Sequence, residues 1–363
     1  MIVAHLSDLH LGHRAFEREV RGRNVRERDV AEAFHGAIEA LIRIVPDVIL
    51  VAGDVFDRRD PSPAALVALT RGLDVLGTEL PETPIVMIAG ARDTPSRPDT
   101  PGPLAALDSF PLVETATSIT RSVSLKGGRV HVHMMPHGPV QSGTALAPEP
   151  DPEAEWNVLL AYARVIDDRS PKRMVIRSSQ WDYVALGSVH TAREVGPGIH
   201  YSGALERVGP APWTEAAGEK GFLTRDLTTG ETMFHRVPGR PVVALAPIRS
   251  RPGDGDGLRR RVREVTEEVP GGIDGKIVHM SFQGIEPRDL FALQGELLAD
   301  LRDRAFHVSF EIDAPPSFSG PTTIDLRSSL RGILEVSGGG TAEDHELIEQ
   351  LVPPDPISKG MPS

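Results

Sequence analysis

The sequence predicts a layered α/β domain followed by a smaller α/β domain. With 363 residues, the chain exceeds the roughly 250–300 residues at which single hydrophobic cores usually stop growing. Short apolar runs alternate with stretches of helical periodicity in its first part, and a similar series recurs after the proline-containing segment 238–241. We therefore expect two domains, each built from strands and helices.

The first part of the chain has a strand–helix–strand pattern. Ile2–Leu6 and Val48–Val51 are short apolar runs that stop abruptly at polar residues, as buried strands do when they end in a functional loop. Between them, Val30–Ile44 has helical spacing of its apolar residues. A second helix is predicted at Ala64–Leu76 and a further strand at Ile85–Ile88. In such α/β domains, functional groups are expected at the carboxyl ends of the strands.

The rest of the first domain is richer in predicted strands than in helices. These strands are Ser122–Leu125, Val130–Met134, Val158–Tyr162, Tyr183–Leu186 and Phe222–Asp226. Two sheets covered by helices would accommodate both halves of the domain. Thr94–Pro103 and Pro139–Glu155 are rich in Pro, Gly, Ser and acidic residues, so we predict surface loops there.

Beyond Pro238–Pro241 the sequence predicts a β-α-β-α-β series, which is enough for a small domain. Its elements are Val242–Pro247, a helix at Leu258–Val269, Ile277–Phe282, a helix at Asp289–Asp303, and His307–Ile312. The predicted domains are therefore 1–238 and 239–313, followed by a tail at 314–363. Within the tail, 323–336 and 342–351 are predicted to form two short helices suited to docking a partner.

The composition is that of a globular protein without a membrane segment. Hydrophobic residues make up 40% and charged residues 25%, and no run of about 18 apolar residues could span a bilayer. Met1–Leu6 has no basic segment followed by a long apolar one, so we expect no secretory signal and a cytoplasmic location. The chain has no cysteine, which excludes disulfides and thiolate metal sites.

The charge balance argues against indiscriminate adhesion to nucleic acid, because the formal net charge is −12. Local charge differs, since arginines cluster at two places. Two interpretations stay open, a solvated charged face and a rim that follows a phosphate backbone. The clusters comprise Arg14, Arg18, Arg21, Arg23, Arg26 and Arg28 in the first domain, and Arg259, Arg260, Arg261 and Arg263 in the second.

Residues of metal-ligand type follow three predicted strands. Asp8 and His10 come after the first, where strand alternation would aim both side chains the same way. Asp54 comes after a glycine that permits a tight turn, and His190 lies in the glycine-initiated turn after Leu186. No one of these motifs is specific alone, but together they favour a metal site.

These motifs, in their order, resemble those of the calcineurin-type metallophosphoesterases. The similarity rests on Ser-Asp-Leu-His-Leu-Gly from Ser7, Gly-Asp-Val-Phe-Asp from Gly53, Gly-Ala-Arg-Asp from Gly90, Ala-Leu-Gly-Ser-Val-His from Ala185 and Tyr-Ser-Gly-Ala-Leu-Glu from Tyr201. Within this group the chain is most similar to SbcD-type DNA repair exonucleases, the bacterial counterparts of the meiotic recombination eleven nuclease. The resemblance implies a four-layer α/β/β/α sandwich with a small C-terminal α/β cap domain.

The resemblance also implies a pair of metal ions that bind a DNA phosphate and activate a water. The ligands of the first ion fall on Asp8, His10 and His190, and the aspartate that bridges the two ions falls on Asp54. The second ion lacks its other ligands, because this chain departs from the family at Ala91, Tyr162 and Ser188. We therefore expect one divalent ion, with Mn first and Fe or Zn as alternatives, since these ions suit mixed imidazole and carboxylate ligation.

The family's catalytic histidine is replaced by Arg92, for which two interpretations stay open. Its guanidinium could clamp a phosphate and stabilise developing charge, or it could form an ion pair with Asp57 or Asp93, which we expect to lie just behind the ligands. Arginine cannot act as a general acid near neutral pH. Tyr162 is expected to fill the space of a lost ligand.

Other histidines could in principle replace the lost ligands. His131 and His133 share one face of a predicted strand, and His137 follows it. We expect them instead to be half-exposed strand histidines without a metal.

Three functions follow from these expectations. The first is a DNA nuclease that works with a single ion and Arg92. The second is a catalytically degenerate subunit that binds DNA ends or docks on an SbcC-like coiled-coil ATPase through 323–351. The third is a small-molecule phosphoesterase. The resemblance also implies that the protein forms a homodimer. Nothing in the sequence predicts an association with a membrane.

Overall fold

A computed structural model describes residues 1–97, 100–143, 149–164, 180–285 and 287–313 of the chain. The chain divides into two compact units, Met1–Arg240 and Pro241–Ser363. The division falls within the proline-containing segment 238–241. The domain bounds 1–238, 239–313 and 314–363 stay a prediction, and the two helices predicted in the tail lie outside the described residues.

The first unit contains fourteen described strands and three described α-helices. The strands are β1 (Ile2–Leu6), β2 (Glu19–Val20), β3 (Arg23–Asn24), β4 (Val48–Ala52), β5 (Ile85–Ile88), β6 (Val113–Ala116), β7 (Arg121–Leu125), β8 (Val130–Met135), β9 (Trp156–Tyr162), β10 (Tyr183–Gly187), β11 (Arg193–Gly196), β12 (Ile199–Tyr201), β13 (Gly221–Asp226) and β14 (Thr232–Arg236). The helices are α1 (Val25–Ile44), α2 (Pro63–Glu79) and α3 (His137–Ser142), with 3₁₀ segments at Pro103–Ser109 and Pro212–Glu215.

Two six-stranded sheets form the centre of this unit. The first has the order β14-β13-β1-β4-β5-β6, in which β1, β4, β5 and β6 are parallel and β13 runs antiparallel to both of its neighbours. The second has the order β11-β12-β10-β9-β8-β7, in which the four central strands are parallel. The carboxyl ends of these parallel strands are where the ligand-type residues were predicted.

Helices α1 and α2 begin at side-chain caps. The Asn24 side chain accepts hydrogen bonds from the backbone N–H groups of the first turn of α1, so this helix begins at Val25 rather than at the predicted Val30. Ser62 caps α2 in the same way, and Pro63 occupies its first position. Each helix buries one apolar stripe, as the sequence pattern indicated.

The packing confirms the predicted layered sandwich. Phe34 of α1 and Leu69 of α2 pack against the face of the first sheet that carries Ala4 and Leu6. The opposite face of that sheet packs on the second sheet through a separate core. Val140 of α3 packs against the outer face of the second sheet, and this short helix lies where a surface loop was predicted.

The second unit is a small parallel α/β fold. Its elements are β15 (Val242–Ala244), β16 (Ile248–Arg249), α4 (Gly255–Glu267), β17 (Ile277–Gln283), α5 (Glu296–Arg304) and β18 (His307–Asp313). Strands β15, β16 and β18 all pair in parallel with β17. The helix predicted at Asp289–Asp303 is wrong in part, because a 3₁₀ segment at Pro287–Leu293 is separated from α5 by Gly295 at φ 84°.

A buried histidine links the two sheets of the first unit. His5 of β1 is fully buried and shares a 2.9 Å hydrogen bond between its Nδ1 and the hydroxyl of Tyr183 in β10. Burial, and the nearby His200 ring, lower the pKa of His5 to about 3. The folded protein therefore holds this imidazole neutral at pH values where the unfolded chain protonates it.

We expect His5 to make the fold sensitive to mild acid. An unfolded histidine has a pKa of about 6.5, so the stability that His5 provides is complete above that pH and falls as the pH drops towards about 3. His5→Gln keeps a hydrogen-bonding group that does not titrate. The free energy of unfolding, measured by urea denaturation between pH 7 and 4.5, should fall more steeply for the wild type than for the variant, by up to about 1.4 kcal/mol per pH unit. Parallel curves for the two proteins would contradict this account.

Candidate metal centre

The loops that follow β1 and β4 run side by side at one edge of the first sheet. Asp8 N–H donates to the Gly53 carbonyl and His10 N–H to the Asp54 carbonyl, each at 2.9 Å. Asp8, His10 and Asp54 all have positive φ values, of 50°, 47° and 47°. The side chains of Asp8 and His10 therefore converge through a left-handed turn paired with its neighbour, and not through the strand alternation used in the prediction.

Glycines allow the two sheets to approach closely behind these loops. Gly53 has φ 86°, and a Cβ there would lie 2.5 Å from Cδ2 of Tyr162. A Cβ on Gly187, at the end of β10, would lie 1.7 Å from the carbonyl oxygen of Ala52. Only glycine fits at these two positions. The two glycines therefore allow the end of β10, and with it His190, to lie close to the first sheet.

Three of the predicted ligands meet at this edge. One ligand atom each from Asp8, His10 and His190 lies within 4.8 Å of the others. The Nε2 atoms of His10 and His190 are 3.3 Å apart. Two imidazole nitrogens bound tetrahedrally to one Zn²⁺ at about 2.0–2.1 Å would be separated by about 3.4 Å. The spacing therefore fits two ligands of a single ion.

Carboxylates behind the two histidines fix which nitrogen faces the centre. His10 Nδ1 is 3.0 Å from Asp57, and His190 Nδ1 is 3.4 Å from Glu215. Because a carboxylate only accepts, each Nδ1 carries a proton, and the two Nε2 atoms face each other across the centre. Either a shared proton or a bound cation can lie between them, and metal-bound histidines commonly donate their other ring N–H to a carboxylate in this way.

The two carboxylates are themselves held by cations or further histidines. His13 Nδ1 lies 3.3 Å from the Asp57 oxygen that binds His10, and although burial opposes it, these two histidines hold the pKa of Asp57 well below its usual value. Lys220 donates to Glu215 and, at 2.7 Å, to the carbonyl of His190. Burial likewise opposes ionisation of Glu215, but His190 and Lys220 keep its pKa low. Both groups are therefore carboxylates at neutral pH.

Asp54 is placed beside this cluster and is bound by two donors. Its Oδ2 lies 3.8 Å from His10 Nε2 and accepts a 2.8 Å hydrogen bond from the Tyr162 hydroxyl. Its Oδ1 accepts a 2.7 Å hydrogen bond from the backbone N–H of Arg92. Burial, with the nearby Asp54 and Asp8 charges, raises the pKa of Tyr162, so this phenol stays protonated and acts as a donor.

At the other replaced positions, Arg92 and Ser188 contribute backbone N–H groups to the carboxylates of the site, and Ala91 contributes none. The Ser188 N–H lies 3.2 and 3.1 Å from the two oxygens of Asp8. The methyl group of Ala91 packs on the core between the sheets. The Arg92 side chain is exposed, and in the described part of the chain it forms no ion pair with Asp57 or Asp93.

Asp93, which was predicted to lie just behind the ligands, is held by backbone donors of two loops. It is fully buried and accepts three backbone N–H bonds, from Val55, Phe56 and Gly90, at 2.9, 2.9 and 3.1 Å. Burial and the charge of Asp54 raise the pKa of Asp93 to about 7 despite these donors. Asp93 thus ties the loop after β5 to the loop that carries Asp54.

Among the described residues, none of the other histidines considered as ligands belongs to the three-residue cluster. His131 and His133 are half-buried on β8, and each shares a hydrogen bond with a serine of β7, at 3.1 and 2.8 Å. His137 packs edge-on against the Tyr162 ring, with centroids 5.5 Å apart. Burial lowers the pKa of both His133 and His137.

The predicted DNA rim is solvent-exposed. Arg14, Arg18, Arg21 and Arg23 all have exposed side chains on or beside the β2–β3 hairpin. Arg14 pairs with the buried Glu27 at 3.2 Å. Arg26, from the same cluster, is instead buried and pairs with Asp29 at 2.8 Å, so it belongs to the fold. The role of the rim stays a prediction.

Comparison with known proteins identifies the class to which this fold and site belong. A family model for calcineurin-like phosphoesterases matches residues 1–189, just over half of the chain. The chain therefore belongs to the calcineurin-like phosphoesterase family. Membership implies the use of a divalent metal, and the Asp8, His10 and His190 cluster is a site where one could bind.

One curated relative is the DNA double-strand break repair protein Mre11 of Methanopyrus kandleri. It is 28% identical over 245 residues, covering 62% of this chain and 52% of the relative. The chain thus spans about half the length of that protein. The crystal structure of TT1561 of Thermus thermophilus aligns with a TM-score of 0.37 and 11% identity, over 65% of this chain and 99% of the other. A TM-score this low does not show a shared fold. None of the described helices is long and apolar enough to cross a membrane.

Proposed function

We propose that this chain is a metal-dependent phosphodiesterase that acts on DNA and holds one divalent ion through Asp8, His10, His190 and Asp54. The observation that carries the proposal is the pair of imidazole Nε2 atoms 3.3 Å apart, each backed by a carboxylate on its Nδ1. The similarity to a DNA double-strand break repair protein supports DNA as the substrate. Mn²⁺ is the ion we propose first, with Fe or Zn as alternatives.

The side chains of this site prepare it for phosphoryl chemistry. A bound divalent ion supplies Lewis acidity towards a phosphoryl oxygen and lowers the pKa of a water nucleophile. Asp57 and Glu215 hold His10 and His190 in their ligand tautomers, so little reorganisation is needed. The exposed guanidinium of Arg92 is free to bind a phosphate oxygen by its planar fork. Because Arg92 cannot release a proton near neutrality, we assign protonation of the leaving oxygen to solvent.

A single ion is supported by the hydrogen bonds of Asp54. The Tyr162 hydroxyl donates to one of its oxygens and the Arg92 N–H to the other, which leaves one lone pair on each oxygen for the proposed ion. A second ion that shared Asp54 would compete with the phenol and would find neither an imidazole nor an amide at positions 91, 162 and 188. We therefore infer that two-metal catalysis is lost or weak in this chain.

The same replacements favour a second candidate function. A subunit that binds DNA ends, docks on a coiled-coil ATPase or pairs with a second copy would need the fold but not the lost ligands.

A third candidate is a small-molecule phosphoesterase. It would keep the single-ion site and would need no contact with neighbouring nucleotides.

One set of assays distinguishes these functions. Purified protein with Mn²⁺ is incubated with labelled single- and double-stranded DNA and, separately, with a chromogenic phosphodiester. We expect metal-dependent release from DNA that His133→Ala, a change outside the site, leaves unchanged. DNA binding without release would favour the binding subunit, and turnover of the chromogenic ester without DNA binding would favour the small-molecule enzyme.

A further inference from the structure

A cleft of about 420 Å³ opens beside the candidate metal centre. Its lining includes His190 and Ser188, together with Thr191, Tyr201, Arg164 and Arg193. The volume falls within the roughly 300–1,000 Å³ of typical small-ligand sites. Because His190 contributes both to the cleft and to the ligand cluster, a substrate with a phosphate at the cluster can extend directly into the cleft.

Two arginines give this cleft a positive charge. Within the described ranges, neither Arg164 nor Arg193 forms an ion pair with a carboxylate. The acidic residue in the lining, Glu215, is already bound by His190 and Lys220, so it does not neutralise them. In a chain whose net charge is −12, two guanidiniums that have no carboxylate partner among the described residues form a local site for an anion beside the metal centre.

Tyr201 contacts Arg193 and anchors the backbone next to Arg164. Its side chain is fully buried, and the Arg193 guanidinium lies 5.6 Å from the centre of its ring, within cation–π range. The Tyr201 hydroxyl donates to the carbonyl of Ala163 at 2.9 Å, which fixes the backbone immediately before Arg164. A side chain that is held before a ligand arrives, as Arg193 is by this ring, loses less entropy on binding it.

We infer that this cleft binds a second phosphate of a polynucleotide, the one that neighbours the phosphate at the metal centre. The inference rests on the proposed function and deepens it, because it makes a chain of nucleotides the substrate rather than an isolated phosphoester. Arginine is suited to the role, since its planar fork binds two phosphate oxygens together. The exposed hydroxyl of Thr191 is an additional donor in the lining.

The test is equilibrium binding of a fluorescein-labelled thymidine dodecamer, followed by anisotropy with EDTA present and at several salt concentrations. The double variant Arg164→Gln/Arg193→Gln should bind about tenfold more weakly at low salt. The slope of log affinity against log salt should fall by about 0.7 for each arginine removed. Arg43→Gln, which removes an exposed arginine from the last turn of α1, is the matched control and should stay within about twofold of the wild type.

The outcomes separate this inference from the proposed function. Equal affinity and equal salt slope for the wild type and the double variant would overturn the cleft assignment, even if the protein hydrolyses DNA. A wild-type protein that binds no oligonucleotide would overturn it as well, whether or not a chromogenic diester is turned over. An arginine-dependent slope in a protein that hydrolyses nothing would support the cleft and refute the catalytic proposal.

Discussion

Replacing His10 with alanine is expected to remove the bound ion and to lower DNA hydrolysis by more than about a hundredfold. Loss of a group that only hydrogen-bonds to a metal ligand typically costs about 10–100-fold in metal affinity or activity, and His10 is proposed as a ligand itself. Its removal also leaves Asp57 without one of the two histidines that hold it ionised. Metal content by mass spectrometry and release of labelled nucleotide measure the two effects.

His133→Ala is the matched control for this substitution. It removes an imidazole that shares a hydrogen bond with Ser122 and lies outside the ligand cluster. Its metal content and activity should equal those of the wild type. If His10→Ala keeps both, hydrolysis comes from another site or from a contaminant, and the assignment of the centre is wrong.

The combined variant Ala91→Asn, Arg92→His, Tyr162→His and Ser188→His is expected to bind a second ion. It removes the phenol from Asp54, which can then bridge, and it supplies one amide and two imidazoles as ligands. The new imidazole at position 92 also provides a group that can donate a proton. A positioned general acid contributes about 10²–10⁴-fold, so Mn-dependent nuclease activity should rise by about a hundredfold.

A triple variant that retains Tyr162 provides the control for this gain. The phenol still bonds to Asp54 at the place where a bridging ion would bind, so the triple variant should hold no more metal than the wild type. If the quadruple variant also stays at the wild-type metal content, positions 91, 162 and 188 are not the second half-site.

The sequence predicted the fold from short buried strands and their alternation with helices, because these patterns are local. Val48–Val51 and Ile85–Ile88 are apolar on every residue and form neighbouring strands of one sheet. The start of α1 was missed because the cap at Asn24 lies within an arginine-rich stretch that has no apolar stripe. The break before α5 depends on one glycine, Gly295, inside a segment with helical spacing.

The candidate ligands and Asp57 behind His10 could be named from sequence, but the carboxylate that orients His190 could not. Asp8, His10, Asp54 and His190 each follow a strand, so their meeting at one sheet edge is a consequence of topology. Glu215, in contrast, comes from a 3₁₀ segment with no motif of its own and reaches His190 only in the folded structure.

The contact made by Tyr162, at one of the replaced positions, could not be predicted from sequence either. The sequence places a tyrosine where the family has a histidine and predicts that it fills space. Its 2.8 Å bond to Asp54 joins residues 108 positions apart, and only the packing of the two sheets brings them together. The pairing of Asp57 with His13 was equally hidden, since it depends on the left-handed turns of the two loops.

The most direct test of this account is the number of divalent ions in the purified wild-type protein after dialysis against Mn²⁺ and removal of free metal. We predict one ion for each chain, bound by Asp8, His10 and His190. This ion should be absent from His10→Ala. Two tightly bound ions in the wild-type protein would contradict the single-ion centre, and none at all would contradict the metal site itself.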